Sequence, residues 1–200
     1  MMRRRQQRVR VLQALQARVG QFRIREELWP LRVPIEPVPL GDVIHEALGD
    51  ESGRLDPMSL RARTLLSLEW HDGSRWDAWV IVLPDGLKLY CDTGDDESRV
   101  LASGGRNVGE ESDRAFIQLL AESAGSHFGI EMGGGPPSRV RSSIEDRPFL
   151  VEQFVNLFEV TGMEGSIRED LRRRGGSLPA RHGGHDFQHD VELWLSGVLR

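Results

Sequence analysis

A single cysteine, Cys91, in 200 residues excludes an internal disulfide framework and agrees with a reducing compartment. Long apolar runs are also missing. The longest is Ala78–Leu83, far short of the roughly 20 residues that a membrane-spanning helix requires. Met1–Arg10 is basic, but no apolar signal-peptide region follows it, so a cytoplasmic location and no membrane partner are expected. Lysine is nearly absent: Lys88 stands against 25 arginines, as a coding bias in a GC-rich genome would produce. The catalytic inventory is thin. No serine sits in a nucleophile-elbow context, and Cys91 alternates with apolar neighbours, which favours a buried, inert thiol. The Gly104–Gly109 stretch is glycine-rich but fits neither a P-loop nor a dinucleotide fingerprint. No enzyme activity and no cofactor are therefore expected.

What the chain does carry is 38% hydrophobic and 28% charged residues, which places it with folded globular chains rather than disordered ones. Its charge is unevenly spread. Residues 1–32 hold nine Arg against two Glu, a balance of +7. Residues 85–122 hold nine acidic side chains against four basic ones, a balance of −5. Such asymmetry suits a basic arm that meets an acidic surface or nucleic acid.

The centre of the chain reads as a hairpin series. Runs at Thr64–Trp70, Arg75–Leu83 and Leu87–Asp92 are separated by His71-Asp72-Gly73-Ser74 and by Pro84-Asp85-Gly86. Asp-Gly between short alternating runs is the strongest local hairpin signal. The Arg75–Leu83 run is apolar on both faces, whereas in the next run Leu87, Leu89 and Cys91 alternate with Lys88, Tyr90 and Asp92. The latter pattern predicts one buried and one wetter face. An acidic turn at 94–97 leads to a short fourth strand at Arg99–Ser103.

Helical spacing appears on either side. Leu12, Leu15, Val19 and Phe22 form one stripe in Arg3–Phe22, followed by an extended proline-bearing connection, Trp29–Leu40, and a short helix at Gly41–Leu48. Ser112 is the expected cap of a helix running to about His127, and Arg139–Ile144 the expected return strand. Asp146 caps a further helix with Pro148 in its first turn and a stop at Gly162; its core stripe is Leu150, Phe154, Leu157 and Phe158. The pattern predicts an α+β chain, an antiparallel β-meander covered by two helices with amphipathic helices appended at both termini. The expected divisions are 1–40 (basic helix and connection), 41–162 (core domain), 163–184 (flexible linker) and 185–200 (C-terminal amphipathic helix).

The order from Leu66 to Val160, with Asp85-Gly86 and Asp92-Thr93-Gly94 followed by Leu101 and Gly104, resembles a small prokaryotic domain family with a strand–Asp-Gly–strand–Asp-x-Gly core. That family is found on mobile elements and beside phage-defence or restriction genes. Cys91 replaces its usual Ser and Thr93 its second Asp, which removes a carboxylate from any shared acidic site. The resemblance implies an α+β fold and a genomic setting, and no activity.

Three groups of residues remain as candidate sites. The stripe Leu12, Leu15, Val19 and Phe22, with Trp194 in the C-terminal helix, suits docking on a larger effector protein or self-association. Arg3, Arg4, Arg5, Arg8 and Arg10 suit phosphate contacts, making DNA or RNA the alternative partner. His185, His189 and Glu192 fall on one face of a helix, a zinc-like arrangement that would make the chain a metal-dependent hydrolase; a solvated polar helix face is the competing reading. Asp92-Thr93-Gly94 matches an aspartic-protease signature, but a single loop with Asp95 following fits a tight acidic turn better. Asp92, Asp95, Asp96 and Glu97 offer oxygens for Mg²⁺ or Ca²⁺ without the spacing of a dedicated loop. An interaction subunit of a phage-defence or mobile-element assembly is the function expected first, ahead of a nucleic-acid accessory and a hydrolase.

Overall fold

The Asp-Gly pairs act as turns because a glycine follows aspartate where the backbone must turn left-handed. Gly73 has φ of 86°, and Trp70 N–H donates to the Ser74 carbonyl at 2.9 Å. Gly86 also has φ of 86°, and its N–H donates to the Leu83 carbonyl at 2.8 Å. The computed structural model describes Gln13 and residues 31–34, 36–48, 61–83, 86–93, 97–104, 110–123, 135–175 and 186–199. Among these it places strands β1 (Leu31–Arg32), β2 (Val38–Pro39), β3 (Ala62–Glu69), β4 (Arg75–Val82), β5 (Lys88–Thr93), β6 (Ser98–Gly104) and β7 (Arg139–Ser142). The helices are α1 (Leu40–Leu48), α2 (Glu111–Ser123), α3 (Arg147–Val160), α4 (Glu164–Arg173) and α5 (Phe187–Val198). The strands form one seven-stranded, mostly antiparallel sheet in the order β1-β6-β5-β4-β3-β7, with β2 also pairing β6. The fold is α+β.

The chain divides into two compact units: residues 1–65 with 76–116, and residues 66–75 with 117–200. In the first, Trp79 and Ile81 of β4, Leu89 and Cys91 of β5 and Val100 of β6 meet Leu40, Val43 and Ile44 of α1 in one apolar cluster. The short β2 carries Pro39 beside Arg99, where a missing N–H does least harm. The pairing of β5 with β6 shifts register between Tyr90 and Cys91.

The opposite face of β5 corrects the sequence reading. Lys88, Tyr90 and Asp92 are buried, not wet. Tyr90 stacks on Phe116 of α2 at 4.7 Å, and the polar atoms of this face satisfy one another, as set out below. Ser112 is likewise not the helix cap: α2 begins at Glu111, and the buried Ser112 hydroxyl is engaged by Tyr90 at 2.6 Å. A Cβ at Gly104 would lie 2.9 Å from Tyr90 Cε2, so the β6 backbone passes the ring only as glycine.

In the second unit, Glu69 to Leu66 pair with Arg139 to Ser142. Asp146 caps α3, accepting from Phe149 N–H at 3.4 Å, with Pro148 in the first turn as the sequence indicates. The chain leaves α3 through Gly162, whose φ of 68° suits glycine. Residues 164–173 were expected within a linker and instead form α4. Its two inward residues, Ile167 and Leu171, are too few for a conspicuous period. Its remaining surface is held by the i,i+3 and i,i+4 pairs Glu169–Arg172, Glu169–Arg173 and Glu164–Arg168. Nor is α5 a tethered appendage. Asp186 caps it, and Phe187, Val191, Trp194, Leu195 and Val198 are all buried. Trp194 sits edge-on to Phe158 (5.1 Å, 89°) and 5.9 Å from Phe154. The expected division at 41–162 therefore does not hold: α3, α4 and α5 share one core. Breakers in the sequence mark where the chain turns, and long-range packing decides which segments cohere.

Candidate functional site

The buried charged side chains are the first place to look for chemistry. Among the described residues they are Lys88, Asp92, Asp113 and Asp190, and each is paired internally. Asp113, in the first turn of α2, receives Lys88 Nζ at 2.9 Å on Oδ1 and pairs through Oδ2 with Arg63 Nη2. Tyr90 Oη lies 2.8 Å from Asp113 Oδ1 and 2.6 Å from Ser112 Oγ. The carboxylate is the stronger acceptor, so the phenol donates to Asp113 and accepts from Ser112. Burial pushes the Tyr90 hydroxyl far above the ordinary phenol range, with Asp113 adding to the shift against the hydroxyl of Ser112. A phenol held protonated in this way is a fixed hydrogen-bonding group and not a proton carrier.

Asp92 lies within β5, not in an exposed acidic turn. Arg99 holds it through Nε at 3.1 Å and Nη2 at 2.5 Å. Burial raises its carboxyl group above the ordinary value, with Arg99 acting in the opposite direction. The native state thus binds this proton more tightly than the unfolded chain does. The contribution of Asp92 to stability is complete below the unfolded pKa, about 4, and is lost as pH rises through the raised native value. We expect the stability of the wild type relative to Asp92→Asn to fall as pH rises from about 4 and to level off once pH passes the raised native value, in urea titrations at successive pH values. A difference that shows no fall above about pH 4, or that rises with pH, would contradict this assignment. Cys91 beside it is fully buried, and burial with the neighbouring Asp92 pushes its thiol up, which leaves it unreactive in the native state.

The second unit offers a different kind of site. A cleft of about 400 Å³ opens between the β3–β4 turn and α4. Trp70, His71 and Asp72 form one wall, Gly135 and Pro136 border it, and Gly165, Ser166, Glu169, Asp170 and Arg173 come from α4. The Trp70 indole N–H is committed to the Gly135 carbonyl at 3.0 Å, which fixes the ring. Asp72 accepts from the hydroxyl and backbone N–H of Ser74 at 2.6 and 2.8 Å. These bonds hold its carboxyl group below the ordinary value, so it is ionised at neutral pH. Asp170 receives the Trp194 indole N–H at 3.0 Å and Arg174 Nε at 2.7 Å, both on Oδ2. The buried ring of α5 thereby orients a carboxylate at the cleft. Glu169 is paired with Arg172 Nη1 at 3.3 Å and Arg173 Nε at 3.5 Å, so the negative charge that α4 brings to the cleft is compensated within the same helix and by Arg174 just after it.

The residues singled out from sequence fare differently. Leu12, Leu15, Val19, Phe22, Arg3, Arg4, Arg5, Arg8, Arg10 and His185 lie outside the described residues. So do Asp95 and Asp96. His189 and Glu192 are exposed on α5, with Nδ1 to Oε2 at 3.6 Å. Among the described residues, no three His, Cys, Asp or Glu side chains converge in a metal-holding group. Trp194, expected to face a partner, is fully buried and packed on Phe154 and Phe158, so it offers no surface for docking. The reason is the aromatic stripe of α3, which accepts α5 as its cover.

Comparison adds no relative. No protein-family model, curated protein or solved structure matches the chain. The resemblance to the prokaryotic Asp-x-Gly family rests on the quoted residues alone. Among the described residues, no helix is long and apolar enough to cross a membrane.

Proposed function

We propose that this protein is a non-enzymatic interaction subunit of a prokaryotic assembly, of the kind found in phage defence or on mobile elements, and that the Trp70 cleft is one of its contact points. The observation that supports this reading is that the buried charges are engaged in internal pairs, while the cleft presents polar groups at the surface. Lys88, Asp92, Asp113 and Asp190 are each ion-paired inside the protein. The cleft carries Asp72 and Glu169 exposed at its rim beside an anchored tryptophan, with Glu169 paired to Arg172 and Arg173 and Asp170 to Arg174. In this reading the amphipathic stripe Leu12, Leu15, Val19 and Phe22 supplies a second contact with the same effector.

The test is affinity capture of the full-length chain from its native lysate after nuclease treatment, comparing wild type with an Asp72→Asn, Glu169→Gln variant. A stoichiometric protein that survives nuclease and is lost from the variant supports the reading. Capture of equal amounts by both forms would remove the cleft from it. Material that vanishes with nuclease would point to the alternative, a nucleic-acid accessory using Arg3, Arg4, Arg5, Arg8 and Arg10.

A further inference from the structure

We propose that Asp72, in the β3–β4 turn, is a site of spontaneous isoaspartate formation, and that Ser74 and Trp70 together hold its rate down. The sequence supplies the reacting groups. The Asp72 carboxyl group stands next to the backbone nitrogen of Gly73, whose missing side chain removes the steric bar to ring closure. The fold supplies access: His71, Asp72, Gly73 and Ser74 are all exposed, and the space that a Cβ on Gly73 would fill is empty. In the reaction the Gly73 nitrogen bonds to Asp72 Cγ, and its proton leaves with the carboxyl hydroxyl as water. Water then opens the succinimide ring. Cleavage between nitrogen and Cγ restores aspartate. Cleavage between nitrogen and the Asp72 main-chain carbonyl carbon leaves the chain running through Cγ. No oxidant, reductant or enzyme is needed.

Both reacting groups are engaged while the turn is closed. Gly73 N–H donates to the Trp70 carbonyl at 3.1 Å, which commits the nucleophile elsewhere. The Ser74 hydroxyl and backbone N–H both donate to Asp72 Oδ1, at 2.6 and 2.8 Å. They stabilise the carboxylate, a poor electrophile, against the protonated acid through which the ring closes. An exposed turn held by so few bonds opens locally far more often than the sheet beside it unfolds, and opening releases both groups. The product carries an extra methylene in its main chain. The 2.9 Å bond from Trp70 N–H to the Ser74 carbonyl then loses its register, and the cleft wall changes with it. The same ring closure deamidates asparagine, so the Asp72→Asn variant above is captured freshly prepared.

The experiment incubates the full-length protein at neutral pH as wild type, Ser74→Ala and Ser74→Thr, with a synthetic peptide of residues 64–75 as the open reference. Arg63 and Arg75 bracket that segment, so trypsin releases it intact, and electron-transfer fragmentation distinguishes isoaspartate from aspartate. The peptide is expected to isomerise at least about tenfold faster than the folded wild type. Ser74→Ala, which removes one donor to Oδ1, is expected to be at least about threefold faster than wild type, and Ser74→Thr to return near the wild-type rate. The Ser74 side chain is exposed, so the fold is expected to survive each change, and melting curves check it. The comparison of wild type with peptide needs no variant. A folded wild type that matches the peptide, a Ser74→Ala protein no faster than wild type, or a Ser74→Thr protein as fast as Ser74→Ala would each overturn the assignment. So would the absence of isoaspartate from all three folded proteins after incubation many times longer than the peptide's half-time. The reaction requires no partner, so none of these outcomes touches the interaction reading.

Discussion

Asp113→Ala is expected to destabilise the protein by about 3–5 kcal/mol, the usual cost of removing one partner from a buried ion pair. The carboxylate is almost wholly buried and is the common acceptor for Lys88, Arg63 and Tyr90. Its removal strips the Asp113 carboxylate from a buried ammonium and from a buried phenol in a single step. It also takes an acidic side chain from the first turn of α2, where the positive end of the helix favours it. The network itself is weaker evidence for stability than this loss suggests, because desolvating Lys88 and Asp113 offsets much of their attraction. A double variant, Lys88→Met with Asp113→Leu, should therefore recover most of the loss, since it deletes both charges and fills the space with apolar atoms. Urea unfolding of the wild type, Lys88→Met, Asp113→Leu and the double variant closes a cycle and gives the coupling directly. A loss below about 1 kcal/mol for the single change would mean that the cluster is solvated in practice.

The second large effect falls on Trp194. Trp194→Ala should cost about 3–5 kcal/mol, the range for emptying an aromatic core position. The ring is fully buried against Phe154 and Phe158, and its N–H is bonded to Asp170. Trp194→Phe separates the parts: it keeps an aromatic ring in the core and drops the hydrogen bond. That change is expected to cost less, with Asp170 losing one of its two donors. Removing residues 186–199 is expected to unfold the second unit, since Phe154 and Phe158 would lose their cover. Near-ultraviolet circular dichroism and urea melts read all three proteins. A truncated chain that still melts cooperatively in this unit would return α5 to the status of an appendage.

These two residues also show what was legible in the sequence. Asp72-Gly73 and Asp85-Gly86 identified the hairpins because turn chemistry is local: a left-handed backbone position asks for glycine wherever it occurs. The cap and first turn of α3 were legible for the same reason. Polar alternation in β5 misled, because Lys88, Tyr90 and Asp92 look like a wet face until their partners are known. Asp113 lies 25 residues beyond Lys88 and belongs to another element, so no local pattern joins them. Trp194 was misread from the other direction. Its helix follows a polar, glycine-bearing stretch, and that stretch says nothing about where the helix docks. The cleft was wholly hidden, since Trp70, His71 and Asp72 read as a hairpin and Glu169, Asp170 and Arg173 as linker. Only the pairing of β3 with β7 and the packing of α4 bring those segments together.

Cys91 gives the experimenter a clock. The only thiol in the chain is sealed inside β5, in the apolar cluster beneath α1, so a disulfide reagent can reach it only when that unit opens. Its labelling rate under native conditions, divided by the rate for an unfolded peptide of the same sequence, equals the fraction of molecules open at any moment when reclosing is fast. The next-door residue Tyr90, the only tyrosine, faces the other side of the same strand. One strand thus carries a unique thiol and a unique phenol on opposite faces, so its opening can be followed at Cys91 without introducing any residue.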